Sequence, residues 1–136
     1  MSKLINETQD VTVIPNEVYQ QIQREAVFEM LSSGGFITLN KKAVRIFGLE
    51  NAVLIGEFVS KEKYLKENGS LTEDGFFYST IEDVENNTSL KERTQQRLIA
   101  DLKAKDIIQV ELRGLPARRH IKINYEKLFK QMCENC

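Results

Sequence analysis

The sequence predicts an α+β fold that is mainly helical, a winged helix-turn-helix with a two- to three-stranded β wing and an extra N-terminal arm of strand and helix. Three observations predict it. A short amphipathic helix, a tight turn and a longer amphipathic helix follow one another from Ile81 to Lys105. That second helix passes directly into two runs of period-two alternation, 107–113 and 118–124, joined by Gly114-Leu115-Pro116-Ala117. Charge is segregated as well: residues 1–86 hold 8 Lys or Arg against 14 Asp or Glu, a net of −6, whereas residues 87–124 hold 9 against 4, a net of +5.

The chain-wide net charge of −1 hides that segregation. A duplex meets one face of a protein and only that face must be cationic, so the asymmetry points to a nucleic-acid partner. Uneven charge is also ordinary in small proteins, and alone it decides nothing. At 136 residues the chain is long enough to bury a core, and 41% hydrophobic with 29% charged residues is the balance of a folded protein. No apolar run nears the roughly 18 residues of a membrane span. Met1–Gln9 has no apolar signal core behind its lysine, so a cytoplasmic protein with no membrane partner is expected.

Residues 1–35 form the arm. Val11 to Ile14 is a β-prone run ended by Pro15, and Asn16 is placed to cap a helix from Glu17 to Ser33. Tyr19, Ile22, Ala26 and Met30, with Val27 and Leu31 alongside, share one helical face, and Gly34-Gly35 stops it. Such an arm either covers the core or makes a dimer contact.

Residues 36–131 form the winged helix-turn-helix domain, and 132–136 a tail. A short segment through Lys41–Phe47 precedes a helix from about Glu50 to Lys66, whose stripe is Leu54, Ile55, Phe58, Val59 and Leu65. Asn68-Gly69 is its stop signal. Phe76–Tyr78 reads as a short strand. Ser79 with Glu82 reads as a capping box for a helix that turns Ile81 and Val84 inward. The turn is Asn86-Asn87-Thr88-Ser89-Leu90. It calls for a left-handed residue, a place that Gly often takes and that falls here to Ser89 or Asn87.

In the next helix, about Lys91 to Lys105, Gln95, Leu98, Ile99 and Leu102 recur at i, i+3, i+4 and i+7 and face the core. The opposite side carries Arg93, Gln96, Arg97 and Ala100. Two arginines, a glutamine and a small alanine suit a helix lying in the major groove, about 12 Å wide. There Arg pairs with guanine and Gln with adenine, while Lys91 and Thr94 at the helix start lie beside phosphates or base edges. A solvated surface favours the same residue types, so the motif around them carries the argument. Glu92 opposes it by repelling phosphate, unless it complements the helix N-terminus or accepts from cytosine.

In the wing, Ile108, Val110 and Leu112 alternate with Gln109, Glu111 and Arg113, and Ile121 and Ile123 alternate with His120 and Lys122. One face packs on the helices. Arg113, Arg118 and Arg119 are read as tip cations that lie along phosphates or enter the minor groove, with Lys122 following among the DNA-binding residues and His120 as a structural or phosphate-side residue, not a catalytic one. Basic residues on an exposed edge also guard against aggregation. Tyr125–Gln131 reads as a short helix docking Leu128 and Phe129.

No catalytic residue, cofactor site or metal site is expected. The chain has no phosphate-binding glycine loop, no metal-ligand cluster and no nucleophile paired with a base. Cys133 and Cys136 end the chain instead of opening a helix after a strand, and read as reduced thiols on a frayed tail.

Four stretches carry a family resemblance: Gly48-Leu49-Glu50-Asn51-Ala52-Val53-Leu54, Leu71-Thr72-Glu73-Asp74-Gly75-Phe76-Phe77-Tyr78, Gln95-Gln96-Arg97, and Gly114-Leu115-Pro116-Ala117-Arg118-Arg119. Over about 36–130 the chain resembles the winged-helix region of replication proteins from phages and mobile elements of Gram-positive bacteria. The wing is the most specific piece. The resemblance implies the DNA-binding module of a replication initiator or replisome organiser, which recognises an origin and recruits helicase-loading proteins. Such proteins continue into a second domain, and this sequence stops at Cys136, which leaves open whether it is an N-terminal module. Binding to double-stranded DNA is therefore the expected function, with a homodimer in view because one unit reads only a few base pairs. A transcriptional regulator and a protein-contact scaffold without DNA affinity stand as the alternatives.

Overall fold

Apolar residues at helical and strand spacing meet in a computed structural model that describes residues 13–134. The chain divides into two units, residues 1–36 and 37–136.

The first unit is the helix α1, Asn16–Ser32. Pro15, at ψ 143°, stands at the N-cap position, so Asn16 is the first helical residue and not the cap. The proline ring keeps the preceding residue out of the helical region, and the chain enters the helix immediately after it. Every residue of α1 is exposed. Of the expected strand, Val11 and Thr12 lie outside the described residues, and Val13 and Ile14 pair with no strand among the described residues.

The second unit opens with α2, Lys41–Phe47, capped by Asn40, whose Oδ1 accepts from the Ala43 N–H at 2.9 Å. Gly48, at φ 90°, makes the corner into α3, Leu49–Glu67, where a side chain would be strained. After Asn68-Gly69 the chain returns as β1, Phe77–Tyr78, then α4, Ile81–Thr88. The cap of α4 is Thr80, which accepts from the Asp83 N–H at 3.0 Å, in place of the expected Ser79 and Glu82. Ser79 is held in the sheet instead, its N–H donating to the Arg119 carbonyl. Ser89 takes the left-handed conformation, φ 65°, and Asn87 stays helical. Helix α5, Glu92–Ala104, leads into β2, Ile108–Arg113, and β3, Arg118–Ile123. The antiparallel sheet runs β1-β3-β2, with Phe77 opposite Ile121 and Val110 opposite Ile121 on the other side.

The core joins all of these elements: Leu54 and Phe58 of α3, Phe77, Val84, Leu98 and Leu102 of α5, Ile107 and Ile121. Phe58 meets Phe77 edge-on at 6.1 Å between centroids. This arrangement, helices on one face of a small antiparallel sheet, is the expected winged-helix α+β fold.

Two inward assignments fail. Leu112 is 72% exposed, because the hairpin outruns the helical layer before that residue is reached. Phe129 is 65% exposed on α6, Tyr125–Glu134; Leu128 and Met132, one turn apart, dock there instead. The helix also runs past the expected end at Gln131. Tyr125 donates to Glu62, and burial together with that carboxylate raises its phenol pKa.

Candidate nucleic-acid interface

Helix α5 is held by its inner face and shows its outer one. Gln95, Leu98, Ile99 and Leu102 are buried, and Arg93, Gln96, Arg97 and Ala100 are exposed. Lys103 lies on the same exposed face. Arg93, Gln96 and Lys103 have no side-chain partner among the described residues. Arg97 donates to Glu50 of α3 at 2.7 Å, both groups more than half exposed. Lys91 occupies the N-cap position without capping and pairs with Glu85 at 2.9 Å; Thr94 is half-buried. Beside that helix start, Glu82, Glu85 and Glu92 line a shallow acidic cleft with Ile81 and Asn86.

The wing cations separate onto two faces. Strand pleating puts Arg118, His120 and Lys122 on the sheet face away from the helices, in line with Tyr78 and Arg113, and turns Arg119 to the inner face with Ile121 and Ile123. Arg118 donates to the Tyr78 hydroxyl at 3.1 Å and lies 5.1 Å from that ring. The His120 Nδ1 sits 3.0 Å from the Arg118 carbonyl, with its ring tilted against Tyr78. Lys122 lies over Phe76, 5.9 Å from its centroid.

Arg113 and Arg119 are not free tip cations. Arg113 makes a two-pronged pair with Asp74, at 3.1 and 2.6 Å, donates to Glu111 at 3.0 Å and stacks 4.1 Å above Phe76. The Arg113 hydrogen bond, with a second from Thr72, holds the Asp74 carboxyl far below the usual carboxylate range, and Asp74 raises the Arg113 pKa in return. Arg119 is half-buried: its Nε donates to the Ser79 carbonyl at 3.0 Å and its Nη2 to Gln95 Oε1 at 3.3 Å. Burial lowers its pKa.

A solved structure described as the N-terminal domain of a DNA-binding protein superposes with a TM-score of 0.52. It is similar to this chain at 14% identity, over 79% of this chain and 93% of its own length. No family model and no curated protein sequence matches. At that identity the likeness establishes a shared fold.

Sequence reasoning missed Asp74, Phe76, Tyr78 and Ser79 as partners of the wing cations. One signal was present: Arg119 is in phase with Ile121 and Ile123, which assigns it inward. Asp74 lies 39 positions from Arg113, and no local pattern joins them. Cys133 is exposed on α6, and Cys136 lies outside the described residues. No helix among the described residues is long and apolar enough to cross a membrane.

Proposed function

We propose that the protein binds double-stranded DNA, laying α5 in the major groove with the wing beside it. The observation that carries this reading is the outer face of α5. Arg93, Gln96, Ala100 and Lys103 stand exposed on a helix whose other face is anchored in the core behind a helix-turn-helix turn. Arg93 and Gln96 have the donors for paired contacts to guanine and adenine, with none committed among the described residues. The exposed Arg97–Glu50 pair contributes little to stability, so phosphate can replace the carboxylate at small cost. The glutamates beside the α5 N-terminus repel phosphate and favour approach through the middle of the helix. Arg118, beside the hairpin turn, and Lys122 supply the wing's charge. The fold shared with a domain of a DNA-binding protein supports the same reading.

In its finer form the protein is a cytoplasmic replication-initiation module of a phage or plasmid, with no catalytic step of its own, acting with helicase-loading proteins. The resemblance of the Gly114–Arg119 wing supports that role over transcriptional regulation. It acts as a homodimer through α1, where Tyr19, Ile22, Val27, Phe28, Met30 and Leu31 are each about half exposed or more.

The same apolar helix favours a second reading, a scaffold that binds protein through α1 and has no DNA affinity. Titration of labelled duplexes, monitored by fluorescence anisotropy at two salt concentrations, separates the two. Salt-sensitive binding that Arg93→Ala weakens supports the DNA reading. No binding at 50 mM salt overturns it. Ile22→Glu with Phe28→Glu is expected to halve the mass measured by light scattering; a monomeric parent protein removes the dimer.

A further inference from the structure

The pair Gln95 and Arg119 joins parts of the domain that are distant in sequence. Gln95 is fully buried. Its Nε2 donates to the Ile81 carbonyl at 3.0 Å, at the first turn of α4, and to the Leu90 carbonyl at 2.8 Å, in the turn before α5. Both amide hydrogens are thereby committed, so the side-chain oxygen has one direction left, and it accepts from Arg119 of β3. Arg119 grips residue 79 twice: its guanidinium donates to the Ser79 carbonyl, and its own carbonyl accepts the Ser79 N–H. Five segments are tied at one point: the end of β1, the start of α4, the turn, α5 and β3.

Toward the hairpin turn the apolar core ends at that point. Beyond Ile121 the next inner-face pair of the hairpin is Arg119 with Leu112, and Leu112 is largely exposed. The orientation of the outer hairpin against α5 therefore rests on hydrogen bonds more than on apolar packing. A guanidinium supplies the fork that binds Ser79 and Gln95 together; an ammonium in its place has one point charge and no planar fork.

We infer that Arg119 is a positioning residue: with Gln95 it latches the wing to α5, and it contributes to DNA binding by holding that geometry and not by touching phosphate. The inference rests on the DNA-binding reading, and deepens it by separating Arg119 from its neighbour Arg118. Arg118 is on the opposite sheet face and is the wing's phosphate contact.

The test compares Arg119→Met, Arg119→Lys, Gln95→Met, the double Gln95→Met/Arg119→Met and Arg118→Met in full-length protein. Affinity for a fixed duplex is measured from 50 to 200 mM salt, with circular dichroism to show that each variant is folded. Arg119→Met is expected to weaken binding about tenfold, the scale of one lost hydrogen bond to a charged group, with the salt slope unchanged. Arg119→Lys loses as much, because charge without the fork does not restore the latch. Gln95→Met matches them, and the double variant is no worse than the poorer single. Arg118→Met instead flattens the slope by about 0.9. Wild-type affinity in Arg119→Lys, or a flattened slope in Arg119→Met with Gln95→Met binding normally, makes Arg119 a phosphate contact and overturns the inference. If Gln95→Met does not fold, Arg119→Lys and Arg119→Met decide alone. If the parent protein binds no duplex, the DNA reading fails separately, and the latch is judged by hydrogen exchange at the Ser79 amide. Faster exchange in Arg119→Met keeps the latch, and an unchanged rate removes it.

Discussion

Ion pairing decides how steeply DNA binding should depend on salt. The segment 87–124 holds nine Lys and Arg residues. Lys91, Arg97, Lys105 and Arg113 already neutralise carboxylates, and Arg119 is spent inside the domain. Arg93 and Lys103 on α5, and Arg118 and Lys122 on the sheet, have no carboxylate partner among the described residues. Each phosphate neutralised on B-DNA releases counterions and contributes about −0.9 to the slope of log K against log salt. With Arg93 facing a base, Lys103 and an Arg97 that exchanges the exposed Glu50 for phosphate act with Arg118 and Lys122 to give about −3.6, and α5 alone gives about −1.8. Anisotropy titrations over 50–200 mM salt measure the slope directly. Lys103→Ala should lower it by about 0.9 on either geometry, and Arg118→Ala only when the wing also reaches the duplex, whereas Arg93→Ala chiefly reduces discrimination between sequences. A slope near zero, or one that Lys103→Ala leaves untouched, refutes the assignment of α5 to the groove. A slope near −8 means that the remaining paired cations exchange their carboxylates for phosphate, and refutes the count.

Three further outcomes follow from the packing and charge. Asp74→Asn should lower the melting temperature at pH 7, by a deficit that shrinks as pH falls below about 3.9. The folded carboxyl is held below its ordinary value of about 3.9, so its contribution is complete above that pH and is lost as pH falls toward the folded value. Asp74→Asn with Glu111→Gln removes both carboxylate partners of Arg113 and should steepen the salt slope of DNA binding; an unchanged slope means that Arg113 never reaches phosphate. Ser89→Gly relieves a left-handed, exposed serine and should stabilise the domain by about 0.5–1 kcal/mol in chemical denaturation, with a destabilised variant showing that the turn is held by its side chain. Phe58→Ala empties the centre of the core and should cost about 3–5 kcal/mol, a loss below 1 kcal/mol meaning that the site collapses or is not central.

Period alone determined the elements of this protein and which side of α5 is buried. Gln95, Leu98, Ile99 and Leu102 can share a face only on a helix, and Ile121 and Ile123 only on a strand, because each backbone geometry repeats its side chains at its own interval. The tight turn at Ser89 and the wing at 114–117 were likewise local matters of a few adjacent residues. Tertiary structure decided the fate of the other cations, while the phase of Arg119 with Ile121 and Ile123 already turned that residue inward. Whether an arginine is free to meet a partner depends on what approaches it from a distant part of the chain. Asp74 claims Arg113, Glu50 claims Arg97, and Ser79 with Gln95 claims Arg119, across separations of 24 to 47 positions. Composition counts such charges equally, and only the fold distinguishes those turned outward from those used to hold the domain together.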